Sequence, residues 1–204
     1  MTIPVTADGQ AVGSMRDKSG NGHHLVQSAA ASRPIYHTDG TRHWITFDGV
    51  DDYLSGGVVH GAVRSLHLAV RYTSGDAAVF YGGRSSTNVR SVVGVGVGNA
   101  FGVGVGTASN YGNTVGAALT GLDRIVYLSH DGTTVTMWTN EPASKSLAQS
   151  GLTTPGQAAF LGAMNNVGTP LSYFGGRFYG LIETATIPSD ADKAVIRAWL
   201  AARI

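Results

Sequence analysis

The stretch from Ser91 to Gly106 narrows the fold more than any other feature of the chain. It reads Ser-Val-Val-Gly-Val-Gly-Val-Gly, then Asn-Ala-Phe, then Gly-Val-Gly-Val-Gly. A period of two on both sides of a turn signals two β-strands whose successive side chains face opposite ways. Keeping valine opposite valine requires an odd loop. Pairing Gly98 with Gly102 sets Val97 against Val103 and Gly96 against Gly104, around a loop centred on Ala100. The valine face (Val93, Val95, Val97, Val103, Val105) belongs in a core. The glycine face (Gly94, Gly96, Gly102, Gly104) is bare backbone. It invites close approach by another segment of the chain, by a neighbouring subunit, or by a ligand lying flat on the sheet.

The rest of the chain agrees with a sheet protein. Short apolar runs recur at strand length: Trp44–Phe47, Leu66–Val70, Ala77–Phe80, Ile125–Leu128 and Val135–Trp138. Asp131-Gly132 between the last two is a hairpin signal. Charged residues make up only 13% of the chain and glycines number 29, which suits many turns between strands. No Pro-rich or Ser-rich linker divides the 204 residues, so residues 1–204 read as one domain. The exception to β structure is the C-terminus. Ser189 precedes Asp190 and Asp192 as an N-cap, and Val195, Ile196, Trp199 and Leu200 follow at helical spacing. A helix over about residues 190–202 is expected, docked by its apolar stripe with Trp199 as an anchor. The fold class is therefore all-β: a two-sheet antiparallel sandwich with a short C-terminal helix.

Composition also excludes functions. The formal net charge is +1 and Lys and Arg are scattered, so no nucleic-acid partner is expected. No run is long enough to insert in a membrane. There is no cysteine, which rules out a disulfide framework and a thiol nucleophile. Residues Met1 to Pro4 lack the basic and apolar regions of a classical signal peptide.

Three segments together resemble a known signature. They are Asp17-Lys18-Ser19-Gly20-Asn21-Gly22-His23-His24, Ser32-Arg33-Pro34, and Phe47-Asp48-Gly49-Val50-Asp51-Asp52-Tyr53-Leu54. This pattern resembles that of concanavalin A-like, laminin G-like jelly-roll domains common in bacteriophage tail and other virion proteins. The Asp131-Gly132 hairpin and the run Gly175–Glu183 before the helix are similar to the family's last strands. Members often carry a longer first strand than the roughly sixteen residues before Asp17 allow. The chain is thus read as a piece of a larger protein, or as one whose first strand is short or supplied by a partner. The resemblance implies a jelly roll and a virion-associated binding domain of a tail, fibre or spike, made in the bacterial cytoplasm and acting at the virion surface or extracellularly. Its partners would be a host surface glycan and other virion proteins, with homo-oligomerisation left open. A structural assembly module without a ligand is the alternative, and a glycan hydrolase or lyase comes third.

The residues themselves offer little catalytic chemistry. Glycosidases need two carboxylates across a groove, and the chain has only two glutamates, Glu141 in a turn and Glu183 in a strand. No enzyme activity is expected. Asp48, Asp51 and Asp52 offer hard oxygens of the kind that hold calcium; a turn stabilised by Asp side chains is the competing reading. No other cofactor is expected. Sugars stack on aromatic faces and bond to planar amides, which singles out Asn110, Tyr111, Asn113 and Tyr173. Asn165 and Asn166 are of the same type, and Arg84, Asn88 and Arg90 suit anionic sugars. In the strand Val135 to Asn140, Val135 and Met137 point to the core while Thr136 and Trp138 point away. Trp138 is a stacking platform unless the C-terminal helix covers it.

Overall fold

The computed structural model describes residues 4–61, 63–74, 78–86, 89–96, 101–106, 120–139, 145–148 and 156–204. In chain order the strands are β1 (Ser14–Met15), β2 (Leu25–Val26), β3 (Ile35–Thr38), β4 (His43–Asp48), β5 (Val63–Ser74), β6 (Val79–Arg84), β7 (Arg90–Val95), β8 (Phe101–Gly106), β9 (Asp123–Asp131), β10 (Thr134–Thr139), β11 (Lys145–Ala148), β12 (Phe160–Leu161), β13 (Met164–Asn166), β14 (Thr169–Leu171) and β15 (Gly175–Thr184), followed by helix α1 (Asp190–Ala201). One sheet has seven strands in the order β11-β10-β9-β5-β15-β4-β3, a second has six, β14-β13-β6-β7-β8 with β12 also on β6, and β1 and β2 pair as a small third sheet. Among these strands every pairing is antiparallel except β13 with β6. This is a β-sandwich of the jelly-roll kind with one C-terminal helix.

Strand alternation decides what each sheet buries. On β5, Leu66, Leu68, Val70 and Tyr72 enter the core, with Val126 and Leu128 of β9, Val135 and Met137 of β10 and Phe178 of β15. From the other sheet come Phe80, Val93, Val95, Phe101 and Val103. The rings of Phe47 and Phe80 both pack on Phe174, at 5.7 and 4.9 Å between centroids. At the Asp131-Gly132 turn, the Asp131 carboxylate accepts from the N–H groups of Thr133 and Thr134 at 2.8 and 2.7 Å, and Gly132 takes a φ of 100°.

The β7–β8 hairpin keeps valine opposite valine, but not in the expected register. Val93 pairs with Val103, Gly94 with Gly102 and Val95 with Phe101. Gly102 therefore meets Gly94 rather than Gly98, so five residues separate the paired ends Val95 and Phe101 instead of three centred on Ala100. The reason is Phe101. It is fully buried opposite Val95, and a large aromatic side chain in the core outweighs a longer run of Val-Gly pairs. Val93, Val95 and Val103 are buried as expected; Val97, Gly98 and the Val105 side chain lie outside the described residues. At Gly94 the close approach comes from the chain itself. A Cβ there would stand 2.1 Å from the Ala78 carbonyl oxygen, and one on Gly82 would stand 2.3 Å from that of Ser91. The β6–β7 register also shifts between Val79 and Tyr81, so the two backbones crowd together at that point.

The signature residues tie the N-terminal segment to the sandwich. Ser32 donates its hydroxyl to Asp51 at 3.0 Å. Arg33 donates to the carbonyls of Gln27 and Ser28 at 2.9 and 3.0 Å. Asp17 accepts from the N–H of Ser19 and of His23 at 2.7 and 3.0 Å.

Helix α1 starts where its N-cap predicts, with the Asp192 N–H donating to Ser189 Oγ at 3.2 Å, and lies across the outer face of the seven-stranded sheet. Its deepest anchor is Leu200 rather than Trp199. Leu200 is fully buried and Ile196 packs beside it against Ala69, Ile125 and Tyr179, whereas Trp199 is 41% and Val195 69% exposed. Residues 196 and 200 share one line down the helix, and 195 and 199 are turned about 100° from it.

One end of the core is polar. Arg64 and Glu183 alternate inward on β5 and β15, and His60, Tyr81 and Ser91 close around them. Arg64 Nη2 donates to Ser91 Oγ at 2.6 Å, His60 Nδ1 lies 2.7 Å from the same hydroxyl, and Glu183 Oε1 is 3.4 Å from His60 Nε2 and 3.6 Å from Arg64 Nη1. Burial pushes the Glu183 carboxyl up and Arg64 pulls it back. Glu183→Gln leaves the Arg64 charge buried without its counter-ion. It is expected to cost about 3–5 kcal/mol in urea unfolding, with the double replacement Arg64→Met/Glu183→Leu costing less than the single one; a loss under about 1 kcal/mol for Glu183→Gln contradicts this role. The docked helix also buries His67, whose ring is driven to a pKa of about 4 by burial and by Arg197 and Lys193. A depressed histidine contributes stability above its unfolded value near 6.5 that is lost as pH falls toward 4, on the order of 2–3 kcal/mol. Stability measured from pH 7 to 4 should therefore fall less steeply in His67→Phe than in the wild type, and parallel curves exclude His67 as a source of acid lability.

Candidate functional site

The outer face of the seven-stranded sheet carries two ladders in register. Trp138 of β10 pairs with Tyr127 of β9, and Tyr127 with His67 of β5. This sets three rings in a row, with the His67 and Tyr127 centroids 4.5 Å apart. One step along the strands, Thr136 pairs with Ser129, Ser129 with Ser65 and Ser65 with Thr184. The second row is thus made of hydroxyls, joined at one point by a 3.0 Å bond between Ser65 and Thr184. Each row arises because outward positions recur every second residue and antiparallel pairing aligns them.

Helix α1 covers the inner part of these ladders and stands clear of the outer part. Between them lies a groove of about 400 Å³ lined by Tyr127, Ser129, Asp131, Thr136 and Trp138 from the sheet and by Ile187, Asp190, Lys193 and Arg197 from the helix side. The helical residues 190, 193 and 197 share one face. Arg197 lies over Trp138 with its guanidinium carbon 4.3 Å from the ring centroid, and 5.8 Å from that of Tyr127. Lys193 bonds to Asp190 at 3.0 Å, which holds the Asp190 carboxyl below its ordinary value. The Asp131 carboxyl is lowered as well, by the amides of its own turn. The groove therefore offers the half-buried Trp138 ring with the Arg197 guanidinium over it and the half-buried Thr136, with Tyr127 and Ser129 nearly buried beneath them, which is chemistry for recognition.

Of the candidates read from the sequence, Trp138 stands in this groove, off the core with Thr136. The helix reaches it from one side, through Arg197. Tyr173 stands elsewhere, near the opposite end of β15. There it is half-buried with its hydroxyl 3.4 Å from the Pro170 carbonyl; burial raises its pKa, helped by Tyr53, Asp51 and Asp48. That places Tyr173 beside the acidic turn, whose three carboxylates Asp48, Asp51 and Asp52 bring one oxygen each within 4.8 Å. These are the described residues able to hold a hard cation. Their oxygens already serve the turn: Asp48 accepts from the N–H of Val50 at 2.8 Å and Asp52 from that of Asp48 at 3.0 Å. Burial and the neighbouring Asp48 raise Asp52 to about 6. Asn110, Tyr111 and Asn113 lie outside the described residues, as do Asn88 and Glu141. Asn165 braces a turn, accepting from the Gly168 N–H at 2.6 Å. Arg84 donates to Asn166 at 2.7 Å, facing Arg90 across the β6–β7 pair.

Sequence reasoning did not find Tyr127, Ser129, Lys193 or Arg197. A signal existed for each pair. Tyr127 and Ser129 alternate with the core residues Val126 and Leu128, and Lys193 and Arg197 are four residues apart on a helix. What no pattern shows is that the two pairs meet.

Neither protein-family models nor curated proteins match this chain. Solved structures do. The carbohydrate-binding module CBM40 of the Ruminococcus gnavus IT-sialidase is similar at 16% identity and a TM-score of 0.53, over 66% of this chain and 82% of that one. A GH54 α-L-arabinofuranosidase is similar at 13% identity and a TM-score of 0.64, over 95% of this chain; the match spans about half, 51%, of the enzyme's chain. The NanB sialidase of Streptococcus pneumoniae is similar at 14% identity and a TM-score of 0.51, over 67% of this chain and 24% of the sialidase chain. At these identities the likeness is one of fold: the chain folds as the lectin-like β-sandwich domains do.

Proposed function

We propose that this chain is a non-catalytic glycan-binding domain whose sugar site is the groove between α1 and strands β9 and β10, and that it attaches a virion, through a tail, fibre or spike, to polysaccharide on a host surface. The observation that carries the glycan reading is the pairing of the two ladders. A pyranose presents an apolar face and a rim of hydroxyls, and the half-buried Trp138 answers the first while the half-buried Thr136 and Arg197 answer the second, backed by Tyr127 and Ser129. The solved likenesses support it, since the Ruminococcus gnavus module has been seen bound to α2,3 sialyllactose. The virion setting rests on the resemblance of the Asp17–His24, Ser32–Pro34 and Phe47–Leu54 segments to phage jelly-roll domains. Binding without cleavage is supported by the state of the carboxylates. A glycosidase needs a proton donor with a raised pKa, and Asp131 and Asp190, the two acids of the groove, are both lowered. Glu183 is spent on Arg64 inside the core.

The groove is short and open to one side, so a single copy binds weakly and linked copies bind strongly, by roughly 10²–10⁴. The test is binding of a multimerised domain to host cells and to an array of glycans. Trp138→Ala, with an unchanged thermal melt, is expected to weaken binding at least tenfold, about 1.4 kcal/mol per site. Unchanged binding in Trp138→Ala together with loss in Tyr111→Ala or Tyr173→Ala moves the site to the loops. Absence of binding by the multimerised wild type favours an assembly module.

A further inference from the structure

Arg197 is oriented, and among the described residues no counter-ion is hydrogen-bonded to it. Its guanidinium lies 4.3 Å over Trp138 and 5.8 Å from Tyr127, and it makes no hydrogen bond or ion pair among the described residues. Its Nε is buried without a partner. Two acids line the groove with it, each hydrogen-bonded to another partner, and the Arg197 charge helps to lower Asp190. Asp190 is bonded to Lys193 at 3.0 Å. Asp131 Oδ1 accepts from two turn amides and from the Thr133 hydroxyl at 2.9 Å. His67, next to Tyr127 in the ring ladder, is held neutral above pH values near 4 by burial and by Arg197 and Lys193. A guanidinium stacked on an aromatic face keeps its donor plane fixed and its edge available, and that edge fits two oxygens of a planar or tetrahedral anion.

A neutral sugar seated on this groove would cover the guanidinium and strip its water without replacing the charge, which is costly. A sugar bearing an anionic group would bring the missing partner. We propose that the groove selects acidic glycans, with Arg197 as the fork that receives a carboxylate or sulfate while the sugar ring packs beside it on the half-buried Trp138 and Thr136. This rests on the glycan-binding reading above and adds the class of sugar.

The probe is an array carrying matched neutral, carboxylated and sulfated glycans, read with the multimerised full chain at fixed ionic strength. The wild type is expected to prefer acidic over matched neutral glycans by tenfold or more. In Arg197→Gln that ratio collapses to about one. In Arg197→Lys, which keeps the charge and loses the fork, it is partly restored. The carboxylated and sulfated arms tell which oxyanion the fork takes. Melting temperatures and near-ultraviolet circular dichroism of the variants check that the helix still docks. A wild type that binds neutral and acidic glycans alike, or an acidic preference that survives in Arg197→Gln, overturns the selectivity and leaves glycan binding standing. A wild type that binds no glycan removes both.

Discussion

A guanidinium sunk into the end of a hydrophobic core has to be answered in place, and much of this sandwich is arranged around that need. Arg64 sits on β5, the central strand of the larger sheet. Its partners come from both sheets: Glu183 from β15 beside it, and Ser91 and Tyr81 from β7 and β6 opposite. A buried ion pair rarely adds net stability over apolar packing, but it penalises every arrangement that separates the charges. Here a one-residue slip of β5 against β15 would turn Arg64 to the outer face and leave Glu183 alone inside. The polar plug therefore sets register across the two sheets at once, where the Val and Leu rows alone would tolerate several alignments.

With register set, the outer face of the larger sheet follows. The same alternation that sends Arg64, Leu66 and Leu68 inward sends Ser65, His67 and Ala69 outward. Pairing to β9 and β10 then assembles the hydroxyl and ring ladders. Helix α1 is docked by Leu200 and Ile196, so its cationic face at Lys193 and Arg197 swings toward the ladders. The groove is a by-product of two amphipathic elements that bury one side each and share the space between their other sides. Its chemistry depends on a helix placed by packing some distance from the groove, so positions such as Leu200 and Gly180 shape the site without lining it. A Cβ on Gly180 would stand 3.2 Å from the Trp199 ring, tighter than an ordinary contact.

The sequence-based expectations succeeded where the physics is local. Asp131-Gly132 forms its turn because the bonds lie within three residues. Ser189 caps the helix for the same reason. Gly20, at a φ of +88°, and Gly22, at +79°, need their conformation whatever surrounds them. Val135 and Met137 point inward because strand alternation admits one choice once Trp138 points out. The expectations failed where two distant segments compete. The hairpin register depended on whether Phe101 was loop or core, and only the volume available between the sheets answers that. Trp199 resembled an anchor by size, yet the narrow line of contact with the sheet selected Leu200.

By itself the chain determined its alternation, its turns, its capped helix and hence its class as a β-sandwich, since each follows from steric and hydrogen-bond preferences within a few residues. Only the tertiary structure decided which strands adjoin, what answers Arg64 and Glu183, and that Arg197 meets Trp138 across fifty-eight intervening residues. Those outcomes depend on burial and on charges brought together from far along the chain, and no local period encodes them.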